Sequence, residues 1–158
     1  MVVVADTSPI NYLVVIARID LLARLYARIV IPPAVMAELK HPLAPKPVRD
    51  WADNAPQWLE ILSPKSGLIL PKLDLGEAEA IALATEVSAD VVLIDEHAGR
   101  QEALRRGLKV AGTLSVLDEA DQAGLVIFDD ALAELRKTSF RVSQAVLSEI
   151  RGKRAIQG

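Results

Sequence analysis

The chain contains no cysteine, which removes disulfides, thiolate metal ligands and a cysteine nucleophile in one step. It suits a reducing compartment, so a cytoplasmic location is expected. Aromatic residues are scarce, with two each of Phe, Trp and Tyr. The core must therefore be built from Val, Ile, Leu and Ala, and an extended stacking platform for bases is not expected. The two histidines, His41 and His97, stand far apart, and neither has a second His at metal-ligand spacing, which argues against an imidazole zinc site. Positive charge is not in excess: 18 Lys and Arg face 21 Asp and Glu, for a net charge of −3. Binding to a polyanion would need a local basic patch. No apolar run approaches the roughly 20 residues that span a bilayer. The N-terminus lacks the basic start of a signal peptide, and no membrane association is expected. No glycine-rich phosphate loop is present.

The length, 158 residues, fits a single domain over 1–158. The hydrophobic fraction of 51% and mean hydropathy of +0.27 are high. They imply a deeply buried sheet, an oligomer interface, or both. Val2 to Ala5 is a short β-branched run and reads as a strand buried on both faces. Ser8-Pro9 reads as a helix start, with Ser8 as N-cap and Pro9 in the first helical position. Further strands are expected over Arg28 to Ile31, Trp58 to Leu62, Val91 to Ile94 and Leu108 to Ala111. Helices are expected over Ala34 to Leu39, around Trp51, over Glu77 to Val87 and Ala98 to Arg106, from Gly112-Thr113 onward, and over Asp130 to Lys137 and Ser143 to Arg151. Residues 63–72 read as a connector. About 139–158 reads as a basic helical tail, in which Val142, Val146 and Ile150 form an apolar stripe that packs on the domain or on a dimer mate. Alternation of strands and helices predicts an α/β fold, a parallel sheet covered on both faces. The carboxyl ends of its strands then share one edge, where ligand sites form.

Two acids fall at that edge: Asp6 after the first strand and Asp95 after Val91 to Ile94. Glu38 lies near the end of its helix, where an acid opposes the helix dipole. Asp74-Leu75-Gly76-Glu77 has capping-box spacing, which explains Glu77 as a structural residue. Glu79 has no such explanation. Its neighbours Ala78, Ala80, Ile81, Ala82, Leu83 and Ala84 are all apolar, and a buried carboxylate must be paired or bind a metal. If Asp6, Glu38, Glu79 and Asp95 converge, each pair about 5 Å apart repels by roughly 3 kcal/mol at an effective dielectric near 20. A hard divalent cation relieves that repulsion, and oxygen ligands alone point to Mg²⁺ or Mn²⁺. An acid-held metal with open positions supports phosphodiester hydrolysis.

These segments resemble the PIN-domain family. Val-Val-Val-Ala-Asp6-Thr7-Ser8-Pro9 looks like its opening strand and first acid. Ile31-Pro32-Pro33-Ala34-Val35, followed by Glu38-Leu39, resembles the second. Gly76-Glu77-Ala78-Glu79-Ala80-Ile81 looks like the segment of the third, and Leu93-Ile94-Asp95-Glu96 the strand of the fourth. The likeness is closest to a branch similar to VapC-type toxins, marked by Gly112-Thr113-Leu114 and Phe140-Arg141-Val142-Ser143. The resemblance implies a three-layer αβα fold around a central parallel sheet. It also implies a Mg²⁺- or Mn²⁺-dependent endoribonuclease, a homodimer and, as the toxin of a toxin–antitoxin pair, a small antitoxin partner. The carried-over catalytic set is Asp6, Glu38, Glu79 and Asp95, with metal on Asp6, Glu79 and Asp95. Two positions depart from the pattern. Glu79 stands where many relatives carry Asp, and Ala98 stands where a further acid or Asn is common, leaving Glu96 as a substitute.

Thr7, Ser8, Asn11 and Thr113 lie where they could orient water or phosphate, though helix capping and first-turn hydrogen bonds explain Ser8 and Thr113 somewhat better. Arg100, Arg105 and Arg106 follow Asp95 and could meet RNA. From Arg136 to Gly158, six cations face one acid, Glu149, as a nucleic-acid contact or a solvated face. A PIN-like binding or regulatory module without turnover is the alternative to a nuclease. Aspartyl phosphotransfer on Asp6 is disfavoured, because no second acid stands beside it or two residues on, where Ser8 lies.

Overall fold

The computed structural model describes residues 1–67 and 70–157, the last of these as backbone only. Residues 68–69 of the expected connector and Gly158 of the tail lie outside them. In chain order the elements are β1 (Val2–Ala5), α1 (Thr7–Val15), α2 (Leu21–Leu25), β2 (Arg28–Ile31), α3 (Pro33–Leu39), α4 (Lys46–Asp53) and β3 (Leu59–Ile61). Then follow α5 (Leu75–Glu86), β4 (Val91–Leu93), α6 (His97–Arg105), β5 (Val110–Ala111), α7 (Thr113–Gln122), α8 (Phe128–Arg136) and α9 (Gln144–Gln157). The strands form one five-stranded sheet in the order β3-β2-β1-β4-β5, and all four pairings are parallel. This is the expected αβα architecture.

Strand alternation makes the layers. Successive side chains of a strand point to opposite faces. Val3 and Ala5, Ile29 and Ile31, and Leu93 enter one apolar cluster, shared with α1, α3, α7 and α8. Val4, Val30, Val92 and Ile94 enter the other, against α5 and α6. Because both faces are covered, the central strands β1 and β4 read as unbroken apolar runs rather than alternating ones.

Two sequence expectations change. Helix α1 begins at Thr7, with Asp6 rather than Ser8 in the N-cap position. Pro9 then sits as the third helical residue, still within the first turn, where its missing N–H leaves no intrahelical bond unmade. The tail helix runs to Gln157 rather than Arg151. It packs on its own domain: Leu147 and Ile150 are buried in the first cluster, with Val142 and Val146 packed against it. Arg154 clasps α7, its guanidinium 2.7 Å from Asp118 and 3.3 Å from Asp121, and lies over the Phe128 ring at 4.7 Å. No helix among the described residues is long and apolar enough to cross a membrane.

Candidate metal centre

The chain order turns around between β1 and β4, since β2 lies on one side of β1 and β4 on the other. Ligand sites of open α/β sheets form at such a switch point. Asp6 leaves β1 there. Its backbone N–H still donates to Leu93 at 2.9 Å, continuing the sheet, so strand pairing fixes its position. Asp6 is 4% exposed. Its Oδ1 is buried without a hydrogen-bond partner among the described residues.

Glu38 reaches the same point from the end of α3, and Asp74 from the N-cap of α5. Carboxylate oxygens of Asp6, Glu38 and Asp74 all lie within 4.8 Å of one another. The Thr7 hydroxyl donates to Glu38. A Cβ at Gly76 would stand 2.7 Å from Glu38 Oε1, so the approach of this carboxylate to α5 requires glycine. Asp74 also caps α5 by accepting from the Glu77 N–H at 2.8 Å. Sequence reasoning saw that cap and stopped there, yet a carboxylate has a second oxygen and spare lone pairs. The signal missed was that a cap beginning next to a buried strand end is also aimed at that end.

The structure places Glu77 and Glu79 in different surroundings. Glu77 is buried at 7% exposure, and the charges around it include those of Asp74, Asp6 and Glu96. Glu79 is half-buried and accepts from the Ala34 N–H at 3.3 Å, at the start of α3. The reason is helical geometry. Two residues on a helix differ by about 200°, so only one of the pair can face Asp6. The structure thus does not bring Glu79 into the Asp6–Glu38–Asp74 group, and its buried-acid problem is met by a helix N-terminus instead.

Asp95 stands on the β4 side and is tightly held. It accepts from the Ser8 hydroxyl at 2.8 Å, from the Thr113 N–H at 2.8 Å and from the Thr113 hydroxyl at 2.7 Å. Ser8 and Thr113 are therefore spent on orienting Asp95 and do not cap helices with their side chains. Asn11 lies one turn along α1, half-buried, and Glu96 is exposed at the α6 N-cap. Arg100 donates to the Ile94 carbonyl at 2.9 Å, close behind Asp95. Arg105 and Arg106 lie at the far end of α6 and pair with Glu102 at 2.9 and 3.0 Å.

This crowding raises proton affinity. Burial pushes the Asp6 carboxyl up to about 7, with Asp74, Glu38 and Asp95 adding to the rise against the Thr7 N–H. Burial, then Asp74 and Asp6, pushes Glu77 up to about 8. Burial also raises Glu38, opposed by the Thr7 hydroxyl. None of Asp6, Glu38, Asp74 or Glu77 is in an ion pair among the described residues. The donor set is all oxygen, it is in excess of negative charge, and one buried oxygen lacks a partner. Those features fit a hard divalent cation.

Comparison with known proteins agrees with this geometry. A family model described as a PIN domain, DUF3368, matches residues 2–155. Among solved structures the chain is similar to a PilT N-terminus domain protein from the hyperthermophilic archaeon Sulfolobus solfataricus P2. The TM-score is 0.52 and the identity 13%, over 90% of this chain and 100% of that one. That likeness shows the fold. No curated protein matches the chain. With the sheet order, the acidic edge and a family match over nearly its whole length, the chain belongs to the PIN-domain family.

Proposed function

We propose that this PIN domain is a metal-dependent endoribonuclease. The observation that carries the reading is the unpartnered Oδ1 of buried Asp6, set among carboxylates that have no cation of their own. Asp6, Glu38 and Asp74 would hold Mg²⁺ or Mn²⁺. Such an ion supplies Lewis acidity and lowers the pKa of water for attack on a phosphodiester. Asp95, fixed by Ser8 and Thr113, completes the acidic edge. Glu77, buried beside Asp6, is placed to hold or move a proton at its carboxylate. Thr7 orients Glu38. Glu96 rims the site at the start of α6.

RNA as the substrate, a homodimer and a toxin role under antitoxin control rest on the resemblance to VapC-type toxins. Because the tail stripe packs inward, a dimer or antitoxin interface would use another surface.

The test is cleavage of a panel of labelled RNAs with Mn²⁺, Mg²⁺ or EDTA, using wild-type protein and Asp6→Asn. Expected is cleavage that needs the ion and falls roughly 10²–10³-fold in Asp6→Asn. Equal cleavage by Asp6→Asn, or cleavage in EDTA, would defeat the proposal. Silence on every RNA in both ions would leave the family's fold without turnover in this chain. Induced expression in a bacterial host tests the toxin role: growth should stop with wild type and continue with Asp6→Asn.

A further inference from the structure

Helix α9 is seated on the domain by few contacts. Among its described side chains only Leu147 and Ile150 are buried, with Val146 partly packed against the same apolar cluster. Ser148, Glu149, Arg151, Lys153 and Ile156 are exposed. A helix of 14 residues is marginal in water without tertiary packing, so two apolar side chains and the Arg154 clasp decide whether it stays seated. Gly152 weakens it further. It stands inside the helix, and a Cβ there would meet nothing within 4 Å, so no close approach requires glycine. A mid-helix glycine costs stability relative to alanine.

The clasp is built to release. Asp118, 2.7 Å from the Arg154 guanidinium, also accepts from the Gln122 side chain at 3.0 Å. Asp121, 3.3 Å from it, also accepts from the Phe128 N–H at 2.7 Å. Each acid keeps a donor when Arg154 leaves, which lowers the cost of an unpartnered carboxylate. At its other end α9 starts from a fixed point. The Tyr12 and Ser139 hydroxyls share a hydrogen bond of 2.9 Å, and the Tyr12 and Phe140 rings meet edge to face at 5.0 Å. Both tie the preceding segment to α1. Residues 141–143 have no regular structure and join that anchor to the helix.

The start of α9 also walls a cleft of about 540 Å³ next to Asp95. Tyr12, Asp95 and Arg100 line its fixed side, and Ala145 and Val146 of α9 line the other. We propose that α9 is a strap that lifts from α7 as a unit about residues 141–143, with Arg154 as its latch, and that it gates the cleft beside Asp95. Lifting takes Ala145 and Val146 out of the cleft wall, and seating restores them. The strap stands without the nuclease reading; the gate rests on it. Units held by few buried contacts open far more often than a whole fold unfolds, and such motions set the turnover of many enzymes.

Hydrogen exchange of the full chain, read residue by residue by NMR, tests the strap. Amides of residues 148–154 should exchange at least about 100-fold faster than those in the middle of α7. Arg154→Gln should speed α9 about tenfold, through loss of charge-assisted hydrogen bonds. Gly152→Ala should slow it about threefold. Exchange in α7 should stay unchanged in both. An α9 that exchanges at the rate of α7 in the wild type, or a Gly152→Ala without effect on it, overturns the strap. Arg154→Gln speeding both helices alike overturns the latch. For the gate, turnover of a labelled RNA 12-mer with Mn²⁺ is compared in the same proteins. The two variants should move it in opposite directions by about twofold or more, at unchanged Mn²⁺ affinity. Equal turnover in all three proteins overturns the gate. No cleavage by any of them defeats the nuclease reading and the gate with it, while exchange still decides the strap.

Discussion

The residue that organises the site is Asp6, and its importance comes from what it lacks. A buried carboxylate oxygen without a partner is costly, and here the charges that act on Asp6 are those of other acids, Asp74, Glu38 and Asp95. Glu77 and Glu79 show how finely such roles divide. Glu77→Gln should abolish RNA cleavage, because it alters the buried acid beside Asp6. Glu79→Gln should leave the rate within about twofold and cost about 0.5 kcal/mol of stability, the value of a charge at the α3 N-terminus. Rates and urea midpoints measured together separate the two; an inactive Glu79→Gln with an active Glu77→Gln would reverse the assignment. Gly76 gives a subtler handle. Alanine suits the first turn of α5 better than glycine does, but its Cβ would displace the Glu38 carboxylate. Gly76→Ala should therefore keep the melting temperature while weakening Mn²⁺ binding about 10–100-fold, as disturbance of an ion's surroundings does. Calorimetric titration reads the outcome.

Among the elements, the strands were the most legible part of the sequence. Runs such as Val2 to Ala5 and Val91 to Ile94 are apolar on both faces because helices cover both, and short β-branched runs leave few alternatives. Helix starts were less legible. Ser8-Pro9 has the right residues for a cap, yet α1 begins earlier because the strand delivers Asp6 directly into the N-cap position. Helix α5 hid its orientation altogether. It is apolar nearly all round, so periodicity could not say which of Glu77 and Glu79 faces the sheet edge, and the Asp74 cap accounts for the Glu77 N–H without telling where its carboxylate lies. Helix ends carry a prediction of their own. Four helices close with paired bonds across the terminus, the arrangement that places the next residue in the left-handed region. Gly107 and Gly124 fill that place after α6 and α7, but Ala17 and Ser88 fill it after α1 and α5. Ala17 is exposed and far from the acids in sequence. Ala17→Gly should raise stability by about 0.5–1 kcal/mol without changing nuclease activity, measured by denaturant unfolding. A loss of stability would show that the side chain of Ala17 contributes more than its backbone strain costs.

At the scale of the whole molecule, an excess of acid is concentrated at one sheet edge, and the fold is stabilised enough elsewhere to tolerate it. Two apolar layers and the Arg154 clasp on α7 hold the edge in place. The tolerance has a pH signature. Asp6 and Glu77 have carboxyls raised to about 7 and about 8 in the fold, above the roughly 4 of an unfolded chain. A group raised in the fold contributes stability that is fully present below its unfolded pKa and is lost as pH rises through its folded pKa. The metal-free protein should therefore lose stability from about pH 4 to about pH 8. Glu60, lowered by its hydrogen bond from Arg28, and Glu86, lowered by the Lys65 and Ser66 N–H groups, act in the opposite sense, losing their contribution only as pH falls through the acid range. Melting temperatures in EDTA should fall across that interval, and Mn²⁺ should flatten the curve by neutralising the cluster. A flat profile in EDTA would mean the acids are not electrostatically strained. The most direct measurement is calorimetric titration of Mn²⁺ into wild type and Asp6→Asn at pH 7. The expected result is saturable binding with proton release in wild type and loss of that binding in Asp6→Asn. Unchanged affinity in Asp6→Asn, or no binding to either protein, would contradict a metal centre built on Asp6.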